Sequence, residues 1–204
     1  MKHKTLALIS LPLVAGVMLA RCSSSDDSLA TDPQTASTAL KEAEEPTAAE
    51  TTDPNGEVML GAASTKPSSF MSPNLGELVI ADVRVGEHNG FDRVVFEFTG
   101  TGTPGFHAGY TDQPLQQASG LPIEVAGNAA FEIMIHGTPM HLGDWDSPLI
   151  QTGPMDLQAG HIKGVTHGGV FEADTQYFVG LDTQRPYSVT LLENPTRVVV
   201  DFAS

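Results

Sequence analysis

Hydrophobic and polar residues alternate along short segments of the C-terminal part of the chain. Within residues 79–85, valines alternate with polar side chains such as Asp82 and Arg84. This period of two is the pattern of a strand with one buried face. Asn89-Gly90 then marks a turn, and residues 91–98 form a second alternating segment. The pattern predicts a β-hairpin.

Further segments have a strand-like composition, at 106–110, 122–125, 130–135, 161–165, 175–181, 187–191 and 197–202. The connections between them are rich in Gly, Pro, Asn and Asp, and no segment carries a helical stripe. Short strands joined by turns predict an all-β domain, either an antiparallel β-sandwich or a partly open barrel. We expect it to cover residues 75–204, which is a usual size for a single hydrophobic core.

The first 21 residues have the pattern of an export segment. Lys2 and Lys4 precede an apolar run at residues 5–20, which contains Pro12. A basic start followed by a short apolar run is typical of a signal peptide, and the run is shorter than the roughly 20 residues that span a bilayer. Residues 1–21 are therefore predicted to be a signal peptide or anchor, with the rest of the chain outside the cytoplasm. A buried helix of a soluble domain is the alternative.

Cys22 is the single cysteine of the chain and follows the apolar run directly. It has no partner for an intramolecular disulfide. Leu19-Ala20-Arg21-Cys22 resembles a bacterial lipobox, in which the cysteine carries lipid, although Arg21 stands where a small residue is usual. The resemblance implies lipidation at Cys22 and a protein held on the outer face of the cell membrane. An uncleaved anchor, or secretion into the envelope, is the alternative.

Residues 22–74 are rich in Ser, Thr, Ala, Pro and acidic side chains, with Phe70 the one aromatic. So little apolar surface does not offset the entropy lost on ordering a backbone, which is roughly 1–2 kcal/mol per residue. We expect a disordered acidic tether, or a glycosylated stalk of similar physical behaviour.

The net charge is strongly negative, at −15 for the whole chain. Without the basic residues of the export segment, 7 Lys and Arg face 25 Asp and Glu, so the exported part carries about −18. Such a surface repels phosphate backbones, and this excludes nucleic acid as a partner.

The sequence contains little that indicates catalysis. No serine of the predicted domain lies in a Gly-x-Ser-x-Gly motif, and Cys22 lies far from any folded base. Residues with metal-binding side chains occur in one half of the domain, at His136, His141, Asp144, Asp146, His161 and His167. Their spacing does not place two histidines on one face of an element. We expect no catalytic residue, no metal and no cofactor, and we keep a metal-dependent wall hydrolase as the third hypothesis.

Arginine is scarce in the predicted domain. Arg84 and Arg93 lie on the two arms of the first hairpin, and Arg197 opens the last strand. One interpretation is structural pairing, for example of Arg93 with Asp92 or Asp82. The other is binding of a carboxylate or a sugar, with Tyr110 or Tyr187 as a flat partner.

Three segments of the domain resemble the AMIN-like domain family of actinobacterial secreted and lipid-anchored proteins. They are Val83-Arg84-x-Gly86-x-His88-x-Gly90-Phe91-Asp92-Arg93-Val94-Val95-Phe96-Glu97-Phe98, then residues 169–172 with 177–181, and Tyr187-Ser188-Val189-x-Leu191-x-x-x-Pro195-x-Arg197-Val198-Val199-Val200-Asp201. The resemblance implies a β-sandwich module that localises envelope proteins, in known cases by binding peptidoglycan. The family's motif residues in this chain are Arg84, His88, Asp92, Arg93, Arg197 and Asp201.

These observations lead to one leading hypothesis and one main rival. The leading hypothesis is a non-enzymatic module of the cell envelope that binds peptidoglycan or another wall polymer. The candidate ligand-binding residues are Arg84, His88, Arg93, Tyr110 and Arg197. The rival is a protein–protein adaptor of an envelope complex, because an exposed sheet edge accepts a partner strand.

Overall fold

A computed structural model describes residues 57–144 and 146–204 of the chain. The predicted signal segment at 1–21, the lipidation site at Cys22 and the part of the predicted tether up to residue 56 lie outside the described residues. In the described ranges, no helix has the length and apolar composition needed to cross a membrane.

Ten strands make up most of the described chain, and two short 3₁₀ helices join them. The strands are β1 (Ser68–Phe70), β2 (Glu77–His88), β3 (Phe91–Thr101), β4 (Gly105–Thr111), β5 (Ala129–His136), β6 (Gly153–Pro154), β7 (Ile162–Phe171), β8 (Asp174–Leu181), β9 (Tyr187–Leu192) and β10 (Thr196–Ala203). The 3₁₀ helices are Met140–Leu142 and Pro148–Ile150, between β5 and β6.

The strands form two antiparallel sheets. One has six strands in the order β1-β4-β5-β8-β7-β6, and the other has four in the order β2-β3-β10-β9. Their inner faces supply one shared hydrophobic core, and the sheets do not close into a barrel. The predicted all-β class is confirmed, and of the two predicted architectures the structure shows the sandwich.

Alternate residues of each strand fill the core. On β3, Val94, Phe96 and Phe98 are buried in it. Phe131 of the six-stranded sheet meets Phe202 of the four-stranded sheet edge to face, with ring centroids 5.0 Å apart. Each large side chain buried in this way contributes roughly 1.5–3 kcal/mol to stability, so these contacts between the sheets fix their packing.

The folded part begins earlier than the predicted boundary at residue 75. Ser68–Phe70 pairs with β4, and Ser64 exchanges backbone hydrogen bonds with Tyr187 on β9. These residues are held mainly by backbone pairing, while Phe70 remains 40% exposed. Because residues 64–70 bury little apolar surface, they have no hydrophobic pattern, and their composition resembles that of the predicted tether.

The predicted strand at 122–125 is absent from the strands of the described chain. It belongs instead to a long connection, residues 112–128, that lies over the outer face of the six-stranded sheet. The side-chain amide of Gln176 donates to the carbonyl of Leu115 at 2.9 Å, and Thr166 donates to the carbonyl of Glu124 at 3.4 Å. The connection therefore covers the outer face of the six-stranded sheet.

Candidate functional site

The outer face of the four-stranded sheet brings distant parts of the sequence together. On β3, Val94 and Phe96 point into the core, so Arg93 and Val95 point outward. The antiparallel register places Arg93 opposite Asp201 of β10, and Val95 opposite Val199. The first and last motifs of the sequence therefore share one surface.

A bulge on β2 places the remaining motif residues on the same face. Leu78 and Ile80 pack with the core, and the pairing with β3 shifts by one residue between Ile80 and Asp82. A bulge of this kind reverses which residues point inward. Beyond it Val83 is buried, and Arg84 pairs in register with Val95. Arg84 thus joins the outer surface.

These side chains line a shallow cleft of about 240 Å³. Its lining residues are Glu57, Arg84, Val85, Gly86, His88, Arg93, Val95, Leu192, Arg197 and Val199. Leu192, Val95 and Val199 supply an apolar surface, while three arginines and one histidine supply the donors. Of the six Lys and Arg residues in residues 57–204, three are found here. We call it the arginine cleft.

Arg93 is fixed by a bidentate pair with Asp201. Its Nε lies 2.7 Å from Oδ1, and its Nη2 lies 2.9 Å from Oδ2 of this fully buried carboxylate. The guanidinium also lies over the ring of Phe91, 5.0 Å from its centroid. The carboxylate paired with Arg93 is therefore Asp201 and not the predicted Asp92 or Asp82, because Asp82 bonds to Arg84 and Asp92 points to the other side of β3. Asp92 instead accepts the backbone N–H of His161 at 2.8 Å, and burial raises its pKa.

Arg84 is paired but accessible. Its Nη1 lies 2.7 Å from Asp82 and 3.0 Å from Glu97, and the hydrogen bond that it donates to Asp82 raises the pKa of the guanidinium. The side chain is still 43% exposed. Exposed pairs of this type are weak, about 0–1 kcal/mol, so Arg84 is able to bind an external anion as well.

Arg197 makes no ion pair with any described residue. Its Nε donates to the carbonyl of Pro195 at 3.2 Å, although Glu97 is its register partner on β3. Arg197 and Glu97 are therefore neighbours on the sheet that form no ion pair. The guanidinium lines the cleft with donors that no carboxylate of the described chain engages.

His88 lies at the other end of the cleft. Its ring stacks on Phe91 at 4.6 Å with an angle of 14° between the ring planes. Its Nδ1 lies 2.6 Å from a carboxylate oxygen of Glu57. The sequence singled out His88 but gave no indication of this acidic partner.

Residues 57–64, which we call the N-terminal strap, cross the outer face beside the arginines. The carbonyl of Val58 accepts a hydrogen bond from Arg93 at 2.9 Å, and the N–H of Leu60 donates to Asp201 at 2.7 Å. Ser188 of β9 donates to the carbonyl of Leu60. The strap is thus bonded to the same Arg93–Asp201 pair that borders the cleft. The strap has no strand pattern, so the sequence gives no indication that it is part of the folded domain.

Tyr110 and Tyr187 lie elsewhere. The hydroxyl of Tyr110 donates to the carbonyl of Arg185 and accepts its N–H, both at 2.7 Å, and burial raises the pKa of the phenol. Tyr187 is buried in the core and donates to the carbonyl of Lys66 at 2.7 Å. Neither ring lines the arginine cleft, so the flat partner expected from the sequence is not part of this surface.

The histidines considered as metal ligands are spread over the domain. His136 pairs with Asp174 at 2.7 Å, and His161 lies between Asp182 and Arg185. In residues 57–144 and 146–204, no group of three or more His, Cys, Asp or Glu side chains is arranged to hold a metal ion. The hydrolase hypothesis therefore gains no supporting geometry from the described chain.

Two antiparallel sheets packed face to face, with a shallow cleft on one outer face, define the class of a β-sandwich domain. A family model described as the AMIN-like domain matches residues 78–204, which is more than half of the chain. The protein belongs to the AMIN-like domain family. AMIN-like domains are generally non-catalytic, and membership indicates an envelope-associated, cell-wall-related binding module. Comparisons with curated proteins and with solved structures found no match.

Proposed function

We propose that this protein is a non-catalytic module of the cell envelope that binds peptidoglycan, or another wall polymer, through the arginine cleft. The observation that carries the proposal is the concentration of cations in one place. A chain with a net charge of −15 brings three of its few arginines to one sheet face. Among the described residues that line the cleft, Glu57 is the one that carries a carboxylate.

The chemistry of the cleft suits a carboxylate on a short aliphatic group. Arg197 has a guanidinium with no ion pair in the described chain, and a planar guanidinium binds a carboxylate through two parallel hydrogen bonds. Val95 and Val199 form an apolar floor that accommodates methylene or methyl groups beside it. The stem peptides of peptidoglycan combine both features, so we assign them as the bound element.

The N-terminal sequence supports a position at the cell surface. We propose that residues 1–21 direct export, that Cys22 carries lipid, and that the segment after it tethers the domain to the outer face of the membrane. A domain held in this way meets the wall at high local concentration, which compensates for modest affinity at a shallow cleft.

Co-sedimentation with purified peptidoglycan tests the proposal. The full-length protein, kept in mild detergent because of its apolar N-terminus, is mixed with wall material at low and moderate salt. We expect saturable binding that Arg197→Ala weakens by about tenfold, since a charge-assisted contact is lost. Lys163→Ala is the matched control, because it removes the same charge from an exposed side chain outside the cleft, which donates to the carbonyl of Gly160.

Two results would contradict the proposal. One is a wild-type protein that stays in the supernatant at every salt concentration. The other is equal loss of binding in Arg197→Ala and Lys163→Ala, which would indicate a general charge effect rather than a site.

A protein partner is the second candidate, and the shape of β2 favours it. This strand runs for 12 residues at one edge of the four-stranded sheet, and among the strands of residues 57–204 that the structure describes only β3 pairs with it. An edge strand accepts a strand from another protein. Crosslinking in intact cells tests this candidate, because recovery of one defined protein that persists after wall digestion would favour the adaptor role.

A further inference from the structure

The carboxylate of Glu57 occupies one end of the arginine cleft. Its Oε2 lies 2.6 Å from Nδ1 of His88, and its Oε1 lies 4.0 Å from Nη1 of Arg93. A carboxylate between an imidazole and a guanidinium is the arrangement that an acidic ligand would adopt at the same place. Glu57 comes from the N-terminal strap, not from the sheet that builds the cleft.

The contact is favourable but easily exchanged. The side chain of Glu57 is 48% exposed, whereas those of His88 and Arg93 are both 15% exposed. The donors are therefore fixed by the fold, while the carboxylate that meets them reaches solvent. Water competes for the half-exposed carboxylate of Glu57, so a ligand that offers its own carboxylate can replace Glu57 at the same two donors.

Displacement of Glu57 also affects the rest of the strap. Val58 accepts a hydrogen bond from Arg93, and Leu60 donates one to Asp201, so the strap is bonded to the same Arg93 that Glu57 approaches. A ligand that engages Arg93 weakens the contacts of both residues. Ligand binding and strap attachment are thus coupled through the same guanidinium.

We infer that Glu57 is an internal carboxylate ligand of the arginine cleft, and that the wall ligand binds through free carboxylate groups which displace it. This inference rests on the proposed function and specifies its ligand class. The strap then acts as a built-in competitor. Its carboxylate occupies His88 and Arg93 until a carboxylate-rich polymer is present, and it discriminates against neutral sugar chains, which do not replace the lost charge.

Binding of defined muropeptides to the full-length protein tests the inference. The probes are a disaccharide-peptide with free carboxylates, the same molecule with its carboxylates amidated, and the disaccharide alone. We expect Glu57→Gln to tighten binding of the free-carboxylate probe by about fivefold, the upper range for an exposed pair, and to leave the other two probes unchanged. Glu87→Gln is the matched control, because Glu87 is exposed on the same strand as His88 but points to the opposite side.

Unchanged or weaker binding of the free-carboxylate probe by Glu57→Gln would overturn the inference. So would an equal gain in Glu87→Gln, since the effect would then come from net charge.

A second measurement separates this inference from the proposed function. Hydrogen exchange of the Leu60 amide reports attachment of the strap, because that N–H is bonded to Asp201. We expect glutarate, a small dicarboxylate, to speed this exchange beyond the effect of sodium chloride at equal ionic strength, and Glu57→Gln to speed it without any ligand. If no muropeptide binds either protein, the proposed function fails, and faster exchange in glutarate still supports the strap inference. An unchanged exchange rate in both conditions overturns it.

Discussion

His167 on β7 is fully buried, and neither of its ring nitrogens has a hydrogen-bond partner in the described chain. The ring of Tyr177, its register partner on β8, meets it edge on at 4.9 Å, and the hydroxyl of Tyr177 is also without a partner there. Burial lowers the pKa of His167 from 6.5 to about 4. The imidazole is therefore neutral in the folded protein at neutral pH.

The sign of the effect on stability follows from this lowered pKa. Unfolded chains bind a proton at His167 near pH 6.5, whereas the folded chain does so near pH 4. Protonation therefore favours the unfolded state as the pH falls through this interval, and stability above pH 6.5 is unaffected. The difference between these two pKa values corresponds to about 3 kcal/mol. Protonation of His167 alone therefore lowers the free energy of unfolding by about this amount when the pH reaches about 4.

Replacing His167 with leucine isolates this contribution, since leucine has a similar volume and no polar atoms. At about pH 7.5 we expect His167→Leu to be more stable by about 1–3 kcal/mol, because two desolvated nitrogens are removed. Urea unfolding followed by circular dichroism at about pH 7.5, 6 and 4.5 gives the free energies. The difference in the free energy of unfolding between variant and wild type should widen by about 2.5 kcal/mol between about pH 7.5 and 4.5.

The control for this series is His107→Gln, which changes an exposed histidine on the outer side of β4. Its pH profile should parallel that of the wild type, because carboxylates that titrate in the same range are common to both. The reasoning is refuted if His167→Leu is less stable than the wild type at about pH 7.5 and has a parallel pH profile. The ring nitrogens would then be satisfied in the folded protein.

Two further substitutions test how the site is supported. Asp201→Ala should lower the free energy of unfolding, measured in urea, by about 3–5 kcal/mol, because it leaves the guanidinium of Arg93 without its buried carboxylate and Leu60 without an acceptor. A decrease below about 1 kcal/mol would contradict the structural role of the Arg93–Asp201 pair. Tyr110→Phe should lower the free energy of unfolding by about 1–2 kcal/mol, since two hydrogen bonds to the backbone of Arg185 are lost. It should leave co-sedimentation with peptidoglycan unchanged, and weaker co-sedimentation would indicate that Tyr110 contacts the ligand.

The sequence predicted those parts of the fold that depend on burial. Alternation in β3 places Val94 and Phe96 in the core, so this strand and its hairpin with β2 were evident. The bulge after Ile80 was not, because a simple alternation of valines continues through it and the shift appears only in the pairing with β3. As a result the sequence pattern alone did not assign Leu78 to the inner face.

The sequence identifies the arginines of the candidate site but not the carboxylates that pair with them. Arg84, Arg93 and Arg197 were singled out because arginine is scarce, and the cleft contains all three. Their partners depend on register and on the strap, since Arg93 pairs with a residue 108 positions away. Glu57 was assigned to the tether because a polar segment held by backbone and ionic contacts has no periodic signal.

The motif residues separate into two roles once the register is known. Arg93 and Asp201 lie opposite each other and bond to each other, so they join β3 to β10 and orient the strap. Arg84 and Arg197 lie in the rows on one side of this pair and present guanidinium groups to the cleft. The buried Arg93–Asp201 pair stabilises the fold around the cleft, whereas the accessible guanidinium groups of Arg84 and Arg197 can exchange bound water for a ligand. Loss of binding without loss of stability is therefore expected at Arg84 and Arg197, and the reverse order of effects at Asp201.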